Sequence, residues 1–482
     1  MRDEQQEPGS GPRLDRIEWG MTLPVSPSLS LDQLLAKYDI AGPRYTSYPT
    51  APHFSTEWDR AALREDFLAD NRPGSRPLSL YFHLPFCERK CWFCGCTTVI
   101  SRDHSIADDY LEDLEREMDL IALHVDSQRS VVQIHLGGGT PTFLSPEQLA
   151  RLGKAIKQRF RLSSRLEFSV EIDPRHASEE HIRVLREIGC NRASLGVQDF
   201  NPKVQQAVNR IQPRQMTESV LAHLRANGFD SINMDLIYGL PEQTPNSFVE
   251  TLLDVIALRP DRLAIFSYAH VPSIKPAQRI FDRRRNLPPV QSKLRMQTLA
   301  VERLVWAGYA CIGMDHFALE TDELVRARGN GSLQRNFQGY TTHAGASLYA
   351  FGMSAISQTA GAYRQNYKDL GLYRTALRQG QLPIEKVRLL SSDDTRRAYI
   401  IQRIMCDNEL VFDELSRHLG ISFEDCFKSE LLSLEEFYAD GLIERTAQGF
   451  SVTPLGRLLV RVIAMKFDRY LLSGQGTYSK VI

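Results

Sequence analysis

The stretch Cys87-Glu-Arg-Lys-Cys91-Trp-Phe-Cys94-Gly-Cys96 constrains this chain more than any other. Three thiols spaced C-x3-C-x2-C, with a fourth two residues on, crowd soft negative charge that a metal centre stabilises best. Structural zinc wants four closed nitrogen or sulfur ligands, commonly from two separated pairs. Here no second pair follows, because Cys190, Cys311, Cys406 and Cys426 are single and scattered. Closure on zinc would therefore need Cys96, His83 or His104. An iron–sulfur cluster held by three cysteines leaves one iron open, and cluster cysteines come in compact runs of this kind. Spacing favours the cluster and leaves zinc as the alternative.

The loop follows a β-rich run that begins a repeat. Strands are expected at Leu78–Leu84, Val131–Leu136, Leu166–Ile172, Ala193–Val197, Ser231–Ile237 and Arg262–Tyr268, with helices near 105–127, 145–159, 178–188, 214–227 and 245–258. Ser145-Pro-Glu-Gln148 supplies a cap, a proline at the first helical position and a capping-box glutamine. Thr244-Pro245 repeats the cap and proline, and Phe248, Leu252, Val255 and Ile256 then form one apolar face. Alternation of this kind means parallel βαβ units. The expected fold is α/β, a partial parallel (β/α)6 TIM-like barrel. A doubly wound sheet is the alternative, since periodicity does not determine closure.

Polar residues then fall at the strand ends, where parallel barrels carry their chemistry. Glu171 ends the third strand, Gln198 follows the fourth, Asp235 lies in the fifth and Tyr268 ends the sixth. Gly137-Gly-Gly-Thr-Pro141 follows the second strand. It matches no nucleotide-phosphate pattern, and its glycines are expected to bring backbone close to a ligand and to offer it free N–H groups.

Four regions divide the chain. Residues 1–30, rich in Pro, Gly, Ser and charge, read as a disordered tail. Residues 31–75 form an N-terminal segment with a helix at Leu31–Lys37 and an extended stretch, 42–50, that is either a surface linker or an active-site lid. The barrel spans 76–385. A mostly helical, winged-helix-like C-terminal domain follows at 386–482, with helices near 392–406, 410–418, 423–438 and 454–471 around strands Ile443–Arg445 and Gly449–Val452. A net charge of −1 gives no global attraction to nucleic acid or a membrane surface. No apolar run approaches the ~20 residues of a membrane helix. With no export signal and no disulfide framework, a cytoplasmic location is expected. No heptad or apolar strip forces an interface, so a monomer is expected.

Several motifs recur together in the chain's order. The C-x3-C-x2-C loop has an aromatic before its third cysteine, and Gly-Gly-Gly-Thr-Pro follows the second strand; this resembles the radical S-adenosylmethionine enzymes. Gly42-Pro-Arg-Tyr-Thr-Ser-Tyr-Pro-Thr50, Glu171-Ile-Asp-Pro-Arg175, Gly196-Val-Gln-Asp199, Ile312-Gly-Met-Asp-His-Phe317 and Arg335-Asn-Phe-Gln-Gly-Tyr-Thr-Thr342 narrow the resemblance to the oxygen-independent coproporphyrinogen III oxidase family. It runs from about residue 31 to the C-terminus.

The resemblance implies a 4Fe–4S cluster on Cys87, Cys91 and Cys94, its open iron chelated by S-adenosylmethionine, and a second S-adenosylmethionine beside the first. Tyr81, Gly138, Glu171 and Ile356 match contacts of the first molecule. Phe93, Gly139, Thr140, Gln198, Arg210, Asp235 and Ala269 match contacts of the second. Cys96 matches a required cysteine that is not a cluster ligand, and Tyr81 and Cys96 are the expected catalytic residues. Segment 42–50 matches one that closes over the site. A 5′-deoxyadenosyl radical would take hydrogen from a propionate of coproporphyrinogen III, and loss of carbon dioxide, with the remaining electron passed to a separate electron acceptor, would leave a vinyl group. A one-electron donor such as a flavodoxin or ferredoxin is implied. Arg44 and the basic run Lys275–Arg285 are candidate holders of the substrate's carboxylates. The alternatives are another tetrapyrrole enzyme of this superfamily or a heme-binding carrier. Cys96 disfavours the carrier, because the related heme-chaperone branch lacks it.

Overall fold

The computed structural model describes residues 31–343, 345–471 and 478–481, so the tail expected at 1–30 lies outside the described residues. Twelve strands form the main sheet: β1 (Leu78–Leu84), β2 (Ser130–Gly138), β3 (Arg161–Ile172), β4 (Arg192–Gln198), β5 (Ser231–Tyr238), β6 (Arg262–Ser267), β7 (Tyr309–Gly313), β8 (His316–Leu319), β9 (Ser347–Phe351), β10 (Ile356–Gln358), β11 (Ala362–Asn366) and β12 (Ile384–Leu389). Their spatial order is β12-β11-β10-β9-β1-β2-β3-β4-β5-β6-β8-β7.

Strands β1 to β6 pair in parallel with their chain neighbours. Each crossover carries a helix: Ile106–Ala122, Pro146–Arg159, Glu179–Ile188, Arg214–Ala226 and Pro245–Leu258. From β1 to β6 strand order never reverses, so right-handed crossovers put these five helices on one face. A doubly wound sheet needs a reversal point, and there is none here. The sheet stays open at β7 and β12. This is the partial barrel expected from the strand–helix repeat.

Side chains alternate along these strands. On β1, Leu78, Leu80, Phe82 and Leu84 are fully buried against the helices, while Tyr81 and His83 turn to the concave face. Phe168, Val170 and Ile172 do the same on β3, opposite Glu167, Ser169 and Glu171. Burying each large apolar side chain contributes about 1.5–3 kcal/mol, which fixes register, since a one-residue slip would turn the whole row inward.

The sequence reading missed half of the sheet. Val290–Trp306 is a further helix, β7 and β8 form an antiparallel hairpin on β6, and β9 pairs in parallel with β1, carrying antiparallel β10–β12. In the C-terminal domain the helix expected over 423–438 is three short ones, Phe423–Cys426, Lys428–Leu432 and Glu435–Ala439. Phe427 leaves helical geometry at φ −116°. The Ser433 hydroxyl donates to the Glu430 carbonyl at 2.6 Å, a local bond that competes with the helix ladder. The helix expected over 454–471 breaks at Leu459. The strand pair is three-stranded, completed by Glu409–Val411. Among the described residues no helix is long and apolar enough to cross a membrane.

Segment 42–50 is mostly buried, not a surface linker. Tyr45 donates to Asp468 at 3.0 Å, Tyr48 accepts the Arg469 N–H at 3.2 Å, and the Gly42 N–H reaches the Ser479 carbonyl at 3.0 Å. It is thus tied to the C-terminal domain.

One buried carboxyl joins the β9–β12 extension to the barrel. Glu117, on helix Ile106–Ala122, accepts from the Gly352 N–H at 2.7 Å, Asn366 at 2.6 Å and the Tyr373 hydroxyl at 2.6 Å. Burial pushes it from 4.5 up to about 7, against those three donors. Folding therefore takes up a proton here, and this group's contribution falls as pH rises from 4.5 through about 7. Glu117→Ala strands three donors and is expected to cost about 3 kcal/mol at low pH and less at pH ~8, read by denaturant unfolding at both pH values.

Candidate active site

The cysteine loop leaves the C-terminal end of β1 and is pinned along its length. Phe86–Cys87 pairs with Val99–Ile100, the Trp92 N–H bonds the Val208 carbonyl at 3.0 Å, and Asn209 donates to the Lys90 carbonyl at 2.8 Å. Gln278 donates to the carbonyls of Phe93 at 3.1 Å and Ala269 at 3.2 Å, coupling those two predicted residues through a side chain no sequence signal revealed. Lys275 donates to the Cys96 carbonyl at 3.1 Å.

Each thiol has its own surroundings. Thr140 lies 3.4 Å from Cys87 Sγ, and burial pushes that thiol up to about 11. Cys91 Sγ accepts from Arg175 at 3.6 Å and Arg210 at 3.7 Å. Both guanidiniums are anchored on Asp173 Oδ2, at 2.7 and 2.8 Å. Burial would raise Asp173, but Arg210 and Arg175 hold it well below the usual carboxylate range. Two fixed positive charges thus face one sulfur. Cys94 is held down at about 6 by the Cys96 thiol, helped by the Cys96 N–H at 3.4 Å.

The three thiols, Cys96, Phe93, Gly138, Gly139, Thr140, Glu171, Gln198, Arg210 and Asp235 line one cavity of about 240 Å³. Among the described residues no three His, Cys, Asp or Glu side chains are close enough to share a single metal ion. The thiols stand around a space instead, and Arg210 leaves its buried Nε without a partner there. That donor set fits a cluster larger than one ion with a position open to the cavity.

The glycines act by close approach rather than as donors. Gly138 has φ +117°, and a Cβ on Gly139 would lie 2.6 Å from the Pro85 and Phe86 carbonyl oxygens. Their N–H groups are already used. Gly138 donates to Glu171 Oε2 at 3.0 Å, Gly139 to the Leu84 carbonyl and Thr140 to the Phe86 carbonyl, both at 2.8 Å. The expectation of free N–H groups is therefore corrected.

Glu171 sits where three cavities meet. Burial would raise its carboxyl, but His135 at 3.2 Å and the Gly138 N–H hold it below its ordinary value. Asp235, taking hydrogen bonds from Ser194 at 3.0 Å and Asn233 at 2.7 Å, is pushed up to about 6 by burial. Gln198 ends β4 in the left-handed region at φ 69°, an aim that ordinary strand geometry does not give.

A second cavity of about 470 Å³ adjoins the first and is lined by Tyr81, His83, Cys96, Glu171, Phe337, Gln338 and Ile356. Tyr81 stacks on His135 with centroids 5.7 Å apart and bonds His83 Nδ1 at 3.1 Å. The predicted cluster and S-adenosylmethionine residues thus gather at one end of the barrel; of these, Ala269 alone lines neither cavity and adjoins Phe93 through Gln278, while Tyr268, just past β6, lines neither as well. Asp173 and Arg175 lie within a motif the sequence had singled out, but their service to Cys91 needed coordinates. Arg44 is committed elsewhere, to Asp315 at 3.1 Å and the Ser267 carbonyl at 3.1 Å. Arg283, Arg284 and Arg285 are exposed, which leaves Lys275 as the member of that run at the loop. Gly139→Ala forces a methyl onto two backbone carbonyls. Iron bound per chain after anaerobic reconstitution is expected to fall severalfold, with chain stability measured alongside.

Comparison with known proteins agrees with this geometry. Residues 81–255 match the Radical SAM superfamily model, and residues 390–459 match the HemN C-terminal domain. The oxygen-independent coproporphyrinogen III oxidase of Pseudomonas aeruginosa is 46% identical over 476 residues, 97% of this chain and 100% of that one. The enzyme of the same name from Escherichia coli is 43% identical over 438 residues, 91% of this chain and 95% of its own. The solved structure of coproporphyrinogen III oxidase (HemN) from Escherichia coli superposes with a TM-score of 0.85 at 42% identity, covering 89% of this chain and 97% of that one. Likeness of this degree, over nearly the full length of both partners, makes this chain a member of the oxygen-independent coproporphyrinogen III oxidase family within the radical S-adenosylmethionine superfamily.

Proposed function

We propose that this chain decarboxylates two propionate side chains of coproporphyrinogen III to vinyl groups without oxygen, giving protoporphyrinogen IX in heme biosynthesis. The observation that carries the reading is the one cavity lined by Cys87, Cys91 and Cys94 together with Glu171, Gln198 and Asp235. When bound, a 4Fe–4S cluster and S-adenosylmethionine supply one-electron reductive cleavage and removal of hydrogen from a propionate carbon.

The chain's own residues hold, orient and shield. Cys87, Cys91 and Cys94 hold the cluster, and Arg175 and Arg210 offset the charge at Cys91. Glu171, kept ionised by His135 and the Gly138 N–H, suits the ammonium of the first S-adenosylmethionine. Tyr81, Gly138 and Ile356 complete that subsite. Phe93, Gly139, Thr140, Gln198, Arg210, Asp235 and Ala269 frame the second. Cys96 and Tyr81 face the larger cavity, where the tetrapyrrole fits. Segment 42–50 serves as the lid that keeps water out of the reaction. The chain acts in the cytoplasm as a monomer, reduced by a flavodoxin- or ferredoxin-like donor.

The test is anaerobic reconstitution followed by assay with S-adenosylmethionine, reductant and coproporphyrinogen III. Both 5′-deoxyadenosine and protoporphyrinogen IX are expected, and their absence from protein with a loaded cluster would overturn the reading. One zinc and no iron after anaerobic purification would remove the cluster itself. Cys96→Ser is expected to keep wild-type iron while decarboxylation collapses; loss of iron instead would make Cys96 a ligand.

A further inference from the structure

Arg335 lies in the strand-turn-strand Gln334–Asn336 and Gly339–Thr341, opposite Tyr340, and is 8% exposed. Its guanidinium lies 5.0 Å from the centre of the Tyr340 ring. Among the described residues its buried Nε and Nη1 have no hydrogen-bond partner, and it forms no ion pair. A buried, unpaired cation is strongly disfavoured unless something anionic meets it. Asp315 is within electrostatic reach, but Arg44 at 3.1 Å and His316 at 2.8 Å already occupy its carboxylate.

The guanidinium faces a cavity of about 60 Å³ walled by Tyr45, Ser47 and Tyr48 of segment 42–50, Gln358 of β10, Tyr363 of β11 and Gln402 of helix Ser392–Asp407. A single water needs roughly 10–15 Å³ on the same measure. Hydroxyls and amides border the space, and among the described residues no Asp or Glu does. The pocket lies beside the larger active-site cavity. Ile356 lines that cavity and Gln358 lines this one; two residues apart on one strand face, they stand about 7 Å apart. Phe337 of the large cavity packs edge-on against Tyr363 of the pocket, centroids 6.0 Å apart.

We propose that the Arg335 pocket is an anion subsite that takes one carboxylate of the tetrapyrrole, on a side chain other than the one being decarboxylated. This rests on the reading of the large cavity as the tetrapyrrole site. The planar fork of Arg335 pairs with both carboxylate oxygens, and hydroxyls of segment 42–50 other than that of Tyr45, which is held by Asp468, complete the shell. The same carboxylate then fastens segment 42–50, the barrel edge and the C-terminal domain to one another, so the subsite both selects a polycarboxylate and holds the shield in place.

The test uses full-length, reconstituted protein carrying Arg335→Met or Arg335→Lys. Iron content, kcat and KM for coproporphyrinogen III are measured, with inhibition by coproporphyrin III (four carboxylates) and etioporphyrin III (none). For Arg335→Met, KM is expected to rise about 10- to 100-fold, the loss for one charged, bidentate contact. The change in kcat should be much smaller, iron should stay at the wild-type level, and the preference for the four-carboxylate inhibitor should shrink. Arg335→Lys keeps the charge but not the fork and should fall between. Unchanged KM and unchanged inhibitor preference would overturn the subsite and leave the pocket filled by ordered water only. If Arg335→Met does not fold, inhibitor preference in Arg335→Lys decides the matter in the same way. A wild-type protein that makes no protoporphyrinogen IX would instead indict the proposed function.

Discussion

The two-residue period of six parallel strands sets the architecture and the chemistry together. In a closed eight-stranded barrel, branched apolar side chains fill the interior. Here the outward rows are apolar and seal against five crossover helices, while the inward rows carry Gln133, His135, Glu167, Glu171, Arg192, Asn233 and Asp235. Those groups are tolerable inside only because they bond one another and border open space. His135 bonds Ser169 at 2.6 Å and Glu171 at 3.2 Å, and Gln133 bonds Glu167 at 2.7 Å. The hydrophobic effect thus holds the wall from outside, and hydrogen bonding holds the lumen from inside.

The cysteine loop depends on that wall. A run of thiols without metal is a concentration of acidic, easily oxidised groups, and the chain places it against a fixed counter-charge. Asp173 leaves the end of β3 and orients Arg175 and Arg210 onto Cys91. All three are largely buried, at 8% exposure or less for Asp173 and Arg210, so the attraction is screened far less than a surface pair would be. The carboxylate is outnumbered two to one, and the surplus positive charge is directed at sulfur.

Much of this was legible in sequence, for physical reasons. Crossover helices announce themselves by caps: Ser145 with Gln148 forms the box its spacing implies, and Thr244 caps its helix ahead of Pro245, with Ser247 as a partner the sequence did not mark. Strand-end polar residues were legible because a parallel sheet sends all its strand ends to one side. The edges were not legible. Strand β9 is a short, mostly apolar run without alternation, which does not separate strand from helix; β10 is too short to show a period, and β11 buries Arg364, Gln365 and Asn366, polar residues that give no strand pattern. Gln278 left no trace, since one glutamine in a basic run gives no pattern. The partner of Arg44 was hidden for a related reason: sequence shows a cation but not the Asp315 that already holds it.

Those unreadable edges complete the site. Strand β1, which delivers the cysteine loop, lies between β2, a close neighbour in sequence, and β9, which begins at Ser347 opposite Leu78. Ile356 and Gln338, which close the larger cavity, come from the same late part of the chain. Segment 42–50 is held in turn by residues beyond 460: Asp468, Arg469 and the bridge of Ala41 to Lys480. The thiol loop and Gly138 to Asp235 assemble from local βαβ units. The walls that exclude water need contacts spanning hundreds of residues, which carry a larger loop-closure cost than the local units do. A chain halted before β9 would therefore hold its thiols around a half-cavity open to solvent, with cluster ligands in place but no enclosure for a radical reaction. The long-range pairing of β9 on β1 is what turns a cluster-binding loop into an enclosed site.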